Sequence, residues 1–125
     1  MIEGLNSVCR AHHYEVRKKG FWELEDVIFN MGSDNEIDSD LEHKLHTKLL
    51  AARLGLVGTE ISEAIEALRK GKYGYEKTDT FEDELADTFL RLMDIVGGLE
   101  IDIERQLTWK SNHSKGREVR HGKLF

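Results

Sequence analysis

Proline is absent from the 125-residue chain, and cysteine occurs once, as Cys9. The missing proline removes the strongest helix breaker from every position. A lone cysteine excludes an intrachain disulfide, so a reducing, cytoplasmic setting is expected. No apolar run approaches the roughly 20 residues that cross a bilayer. The opening Met1-Ile2-Glu3-Gly4 also lacks the basic-then-apolar order of a signal peptide, so no membrane partner is expected. Positive charge is scarce as well: 18 Lys+Arg stand against 24 Asp+Glu, a formal net charge of −6. That balance argues against a nucleic-acid polymer as partner, because counterion release rewards a basic face. It leaves open a polyphosphate bridged to the protein by metal ions. The length suits a single domain over residues 1–125 with a core of its own.

The apolar periodicity predicts an all-α chain, a four- to five-helix bundle. A first helix is expected over Ile2 to Lys19, with Leu5, Val8, Cys9, His12 and Val16 as its apolar stripe and Gly20 as its stop. Phe21 to Ser39 mixes apolar residues with Gly32, Ser33, Asp34 and Asn35 and reads as a packed connection holding one short helix. Ser39-Asp40-Leu41-Glu42 has the form of a capping box, which predicts a long helix over Leu41 to Lys70. Gly55 and Gly58 lie inside it at about 1 kcal/mol each relative to Ala, so close helix approach is expected to compensate. After a loop at Gly71 to Asp79, a third long helix is expected over Thr80 to Val96, stopped by Gly97-Gly98, and a last one over Asp102 to Asn112. Residues 113–125 form a basic tail.

Glu60 and Glu63 are three apart on one predicted helix, and Glu84 and Asp87 repeat the spacing on the next. Residues three apart share a helix face, and a short connection makes the two helices antiparallel neighbours, so the four carboxylates can converge. At ~6 Å and an effective dielectric near 20, each like-charged pair repels by roughly 3 kcal/mol. A hard divalent cation reverses that sign, and all-oxygen ligation favours Mg²⁺ or Mn²⁺ over Zn²⁺. The bland alternative is a solvated acidic face, common where 34% of residues are charged. Against it stand the apolar neighbours Ile61, Ala64 and Ile65 around the first pair and Leu85, Ala86 and Phe89 around the second. Asp94 and Arg91 continue the same face.

Leu56-Val57-Gly58-Thr59-Glu60-Ile61-Ser62-Glu63-Ala64, followed by Glu82-Asp83-Glu84-Leu85-Ala86-Asp87-Thr88-Phe89, resembles the E-x-x-E…E-x-x-D signature of the all-α, MazG-like nucleoside triphosphate pyrophosphohydrolases. His13-Tyr14-Glu15 with Gly20-Phe21-Trp22, and the ending His121-Gly122-Lys123-Leu124-Phe125, are similar to segments of small family members. The resemblance implies a homodimer or homotetramer that uses Mg²⁺ to hydrolyse a nucleoside triphosphate to the monophosphate and pyrophosphate. It also implies Glu60, Glu63, Glu84 and Asp87 as metal ligands, with Glu63 a candidate for the catalytic base. Two cations held by the four carboxylates would neutralise the triphosphate, orient it and lower the pKa of a water that attacks the α-phosphorus. His13 and Trp22 match positions that line the nucleobase pocket in relatives; for Trp22 a base-stacking ring and a core anchor both stand as readings. Lys48, Arg91, Lys110, Arg117 and Lys123 are the candidate phosphate contacts, although Ser114 stands where relatives often carry Asn in the tail.

Other chemistries fit less well. Di-iron bundles need paired Glu-x-x-His motifs, and only Glu118 with His121 has that spacing. Cys9 reads as a small core residue. The competing functional classes are a helical interaction module, in which the acids meet solvent or a partner, and a nucleotide sensor without turnover.

Overall fold

The computed structural model describes residues 1–116. Among them five helices and no strand occur: α1 Leu5–Lys18, α2 Glu23–Ser33, α3 Ser39–Arg69, α4 Phe81–Gly98 and α5 Ile103–Lys115. The all-α expectation holds. The segment Phe21–Ser39 is more regular than expected, because Ile28 anchors an 11-residue helix. No helix of the described residues is long and apolar enough to cross a membrane.

Three of the five helix starts carry a side-chain cap. α3 begins one residue earlier than the capping box predicts: the Asp38 carboxylate, on extended backbone, accepts from Leu41 N–H at 2.7 Å, and Ser39 is already helical. A charged acceptor at the N-terminus outcompetes the neighbouring hydroxyl. Thr80 caps α4, accepting from Asp83 N–H at 3.2 Å while its own hydroxyl donates to the Gly74 carbonyl at 2.9 Å. One buried threonine thereby fixes both the loop and the turn that carries Glu84. Asp102 caps α5, and Asn6 on α1 accepts from Ile103 and Glu104 N–H, tying the last helix to the first.

α4 is the central element, packed on α1 along one side and α3 along the other, while α2 lies on α3 and α5 on α1. Glu60 meets Arg91 and Arg53 meets Asp94, so α3 and α4 run antiparallel. Gly97 and Gly98 do not stop α4 at Val96 as expected; they are its last helical residues. A Cβ on Gly97 would collide with the Cys9 carbonyl oxygen and lie 2.7 Å from His13 Cβ. These glycines therefore serve the close approach of α1 to α4. The expectation reverses for Gly55 and Gly58, where a Cβ would meet nothing within 4 Å. Among the described residues no neighbouring helix compensates them.

The core is small and unusually polar. Cys9, Trp22, Ile28, Val57, Ala64, Ala67 and Ile95 are its buried apolar residues, and Glu60, Thr80, Glu84 and Asp94 are buried beside them. Buried carboxylates are stable only when paired, hydrogen-bonded or bound to metal.

Candidate metal centre

α3 presents Arg53, Val57, Glu60, Ala64 and Ala67 at alternating spacings of four and three, the repeat of one helix face. The small alanines let α4 approach, and Glu60 meets the first turns of that helix. One carboxylate oxygen each from Glu60, Glu84 and Asp87 lies within 4.8 Å of the others. Glu60 and Glu84 are 6% and 7% exposed, and Glu84 Oε2 is buried with no hydrogen-bond partner. Glu63, one turn on, is exposed at the rim and shares a hydrogen bond with the Glu84 carboxyl.

The electrostatics follow from that crowding. Burial pushes the Glu84 carboxyl up to about 7, reinforced by the hydrogen bond its protonated form donates to Glu63 and by the charges of Glu63, Glu60 and Asp87. Asp87 is raised as well, by burial first and then by Asp83 and Glu60, with Arg91 opposing. Arg91 Nε donates to Glu60 Oε1 at 2.7 Å and supplies the local counter-charge. Three of the four predicted acids, Glu60, Glu84 and Asp87, are thus brought together, while Glu63 stands outside that group at the exposed rim. An all-carboxylate donor set with an unpartnered buried oxygen fits a hard divalent cation.

A groove of about 440 Å³ leads away from the acids, bounded on α4 by Asp87, Leu90, Arg91 and Asp94 and on the facing side by His12, Phe21, Arg53 and Leu56. From Asp87 to Asp94 it runs two turns, about 10 Å of helix. At its far end Asp94 gathers several elements. His13 Nδ1 lies 2.9 Å from Asp94 Oδ1, Trp22 Nε1 donates to both carboxylate oxygens at 3.1 Å, and Arg53 Nη1 stands 3.7 Å from Oδ2. Arg53 also donates to Glu25 and to the Phe21 carbonyl and lies over the Trp22 ring at 3.7 Å.

Several expected substrate contacts are placed elsewhere. Trp22 is 5% exposed, with Arg53 over its ring, His13 edge-on at 4.7 Å and Gly98 against its six-membered end. Of the two readings of Trp22, this burial favours the core anchor over the stacking ring. His13 is likewise turned to Asp94. Lys48 is exposed, a third of a turn off the Glu60 face and about 18 Å along the axis from it, so it does not reach the acids. Lys110 is exposed on α5, which packs on α1 and borders none of the groove. Arg117, Lys123 and the His121–Phe125 ending lie outside the described residues.

Arg53 and Phe21 were not singled out from sequence, though Arg53 had a legible signal: an arginine on the core face of α3, two turns before Glu60. A second cavity of about 490 Å³, lined by Phe29, His43, His46 and Leu50, shares Trp22 and Arg53 but contains none of the four acids. No family model matches the chain, and neither a curated protein nor a solved structure matches it.

Proposed function

We propose that the chain is an Mg²⁺-dependent pyrophosphohydrolase of the MazG-like type, converting a (deoxy)nucleoside triphosphate to the monophosphate and pyrophosphate. The observation that carries this reading is the triad of buried Glu60 and Glu84 with half-buried Asp87, and its orphaned Glu84 Oε2. The E-x-x-E…E-x-x-D resemblance supplies the reaction class. Mg²⁺, or Mn²⁺ in its place, would be held by the triad, neutralise phosphate oxygens and lower the pKa of water.

The chain's own residues divide the remaining work. Glu63, exposed one turn beyond Glu60, would accept the proton of the attacking water. Arg91, half-exposed and paired with Glu60, turns to a phosphate oxygen once Glu60 is neutralised. The groove along α4 receives the nucleoside, and Phe21, 66% exposed at its edge, offers the stacking face that Trp22 lacks. Arg53 and Asp94 close the groove with a donor and an acceptor edge.

The test is pyrophosphate release from a panel of canonical and damaged nucleotides with Mg²⁺. Turnover of at least one substrate is expected, with Glu63→Gln lowering kcat by about 10² or more, the usual loss on removing a general base. No release from any nucleotide, together with a melting temperature unmoved by Mg²⁺, would leave the helical interaction module. Nucleotide binding without product would indicate a sensor.

The reading includes a homodimer or homotetramer, in keeping with the relatives that the sequence resembles. It is supported by exposed apolar side chains repeated along two helices, Leu54, Ile61, Ile65 and Leu68 on α3 and Leu85, Phe89 and Leu92 on α4. Stripes of this kind mark association surfaces. Sedimentation is expected to give at least a dimer for the native chain and a monomer for Ile61→Lys/Ile65→Lys. A monomeric native chain would remove this part of the reading.

A further inference from the structure

We propose that Arg53 is a positioning residue: it clamps the turn between α1 and α2 and thereby holds the Phe21 ring as a fixed wall of the groove. The role rests on the pyrophosphohydrolase reading, in which Phe21 stacks on the base. Arg53 Nη2 donates to the Phe21 carbonyl at 2.6 Å and to Glu25 Oε1 at 2.8 Å, and Nε donates to the same Glu25 oxygen at 3.2 Å. Its side chain is 17% exposed. A guanidinium withdrawn that far from water needs partners, and its planar fork serves a carboxylate and a carbonyl together, which the point charge of a lysine does not reproduce.

The turn has little else to hold it. Gly20 follows α1 at a left-handed φ of 86°, and Trp22, the residue before α2, gives that helix no side-chain cap. Within α2 only Ile28 is buried. Two side chains from other helices supply the constraint: Arg53 of α3 takes the Phe21 carbonyl, and Asp94 of α4 accepts from Trp22 Nε1. The guanidinium also lies over the Trp22 ring at 3.7 Å. Two consecutive residues are thus fixed from two sides, one by its backbone and the next by its ring.

Phe21 is what this arrangement leaves outside. Isolated exposed apolar side chains are ordinary. Phe21 differs because its backbone is tied down while its ring, 66% exposed, borders the groove with Leu56, Leu90 and Arg91. Released from Arg53, the turn can rotate about Gly20 and carry the ring off the groove. Arg53 also borders the groove itself, with Nη1 3.7 Å from Asp94 Oδ2, so its effect through Phe21 is read from the coupling of the two residues.

A double-mutant cycle on the full chain measures that coupling. Calorimetry with Mg²⁺ follows the binding of α,β-imido analogues of the common ribo- and deoxynucleoside triphosphates, whose bridge at the scissile position resists hydrolysis. For the analogue that binds the native chain most tightly, Phe21→Ala is expected to weaken binding about tenfold, the loss of one stacking contact. Arg53→Gln should weaken it about tenfold in the native background but at most about threefold in Phe21→Ala, where the ring it positions is already gone. Arg53→Lys keeps the charge beside Asp94 without the fork, and takes the place of Arg53→Gln in the cycle if glutamine does not fold. The rise in melting temperature with Mg²⁺ should persist in every variant, since none removes a member of the triad; its loss along with binding would trace the effect to the metal centre and overturn the positioning role. An Arg53 effect of equal size in both backgrounds, or none in either, overturns the proposal alone and leaves Arg53 a tie between helices. Failure of the native chain to bind any analogue overturns the proposal and the pyrophosphohydrolase reading together.

Discussion

Glu84→Gln is expected to raise the melting temperature of the metal-free protein at pH 8 by roughly 10 °C and to erase its response to Mg²⁺. The carboxyl sits near pH 7 in the fold against 4.5 as its ordinary value. Between those values the native state holds a proton that the unfolded chain has released, so stability falls as pH rises through the window. Above it both states are ionised and the native one carries the whole penalty, about 3 kcal/mol. For a chain of this length that corresponds to roughly 10 °C. The native protein without metal should therefore melt higher at pH 5 than at pH 8, and Mg²⁺ should restore the loss at pH 8 by binding only the folded form. Glutamine keeps the shape, cannot ionise, and offers N–H donors to Glu60 and Glu63. Equal melting temperatures for native and variant chains at pH 8 would show that the acids do not repel in the fold.

Gly97→Ala is expected to be the most damaging single-methyl change, lowering stability by about 3 kcal/mol, at the upper end of overpacking costs. The added Cβ points at the Cys9 carbonyl oxygen and at His13 Cβ, 2.7 Å away. A backbone carbonyl inside a helix cannot rotate aside, so α1 and α4 must separate. Because His13 reaches Asp94 across that same contact, the variant should also loosen the far end of the groove. Gly55→Ala supplies the contrast, since its Cβ meets nothing within 4 Å. Thermal melts of the two variants should move in opposite directions. A Gly97→Ala protein that melts with the native one would refute the close-approach account.

The helical architecture was legible because each helix carries its own periodicity and stop, and the convergence of Glu60, Glu84 and Asp87 because spacing along a helix survives folding unchanged. What escaped sequence reasoning was of another kind. Gly97 and Gly98 resemble a C-terminal cap locally, yet their role depends on a helix some 90 residues earlier in the chain. Trp22 is compatible with a ligand or with the core until Arg53 and Asp94 are seen against it. Arg53 was hidden because arginine is expected in solvent; its partner Glu25 lies in the segment read as a packed connection with one short helix. Lys48 failed for a simpler reason, the rise per residue of a long helix.

The convergence at Asp94 has a consequence for selectivity. Side chains from α1, α3 and the turn before α2 are all fixed against one carboxylate on α4. A ligand arriving there finds donors and acceptors already ordered, so little conformational entropy is lost on contact. At the other end Arg91 and Glu63 retain solvent-exposed freedom. Discrimination between ligands should accordingly reside in the rigid end, while the acidic end can accommodate the changing charge of a reacting phosphate.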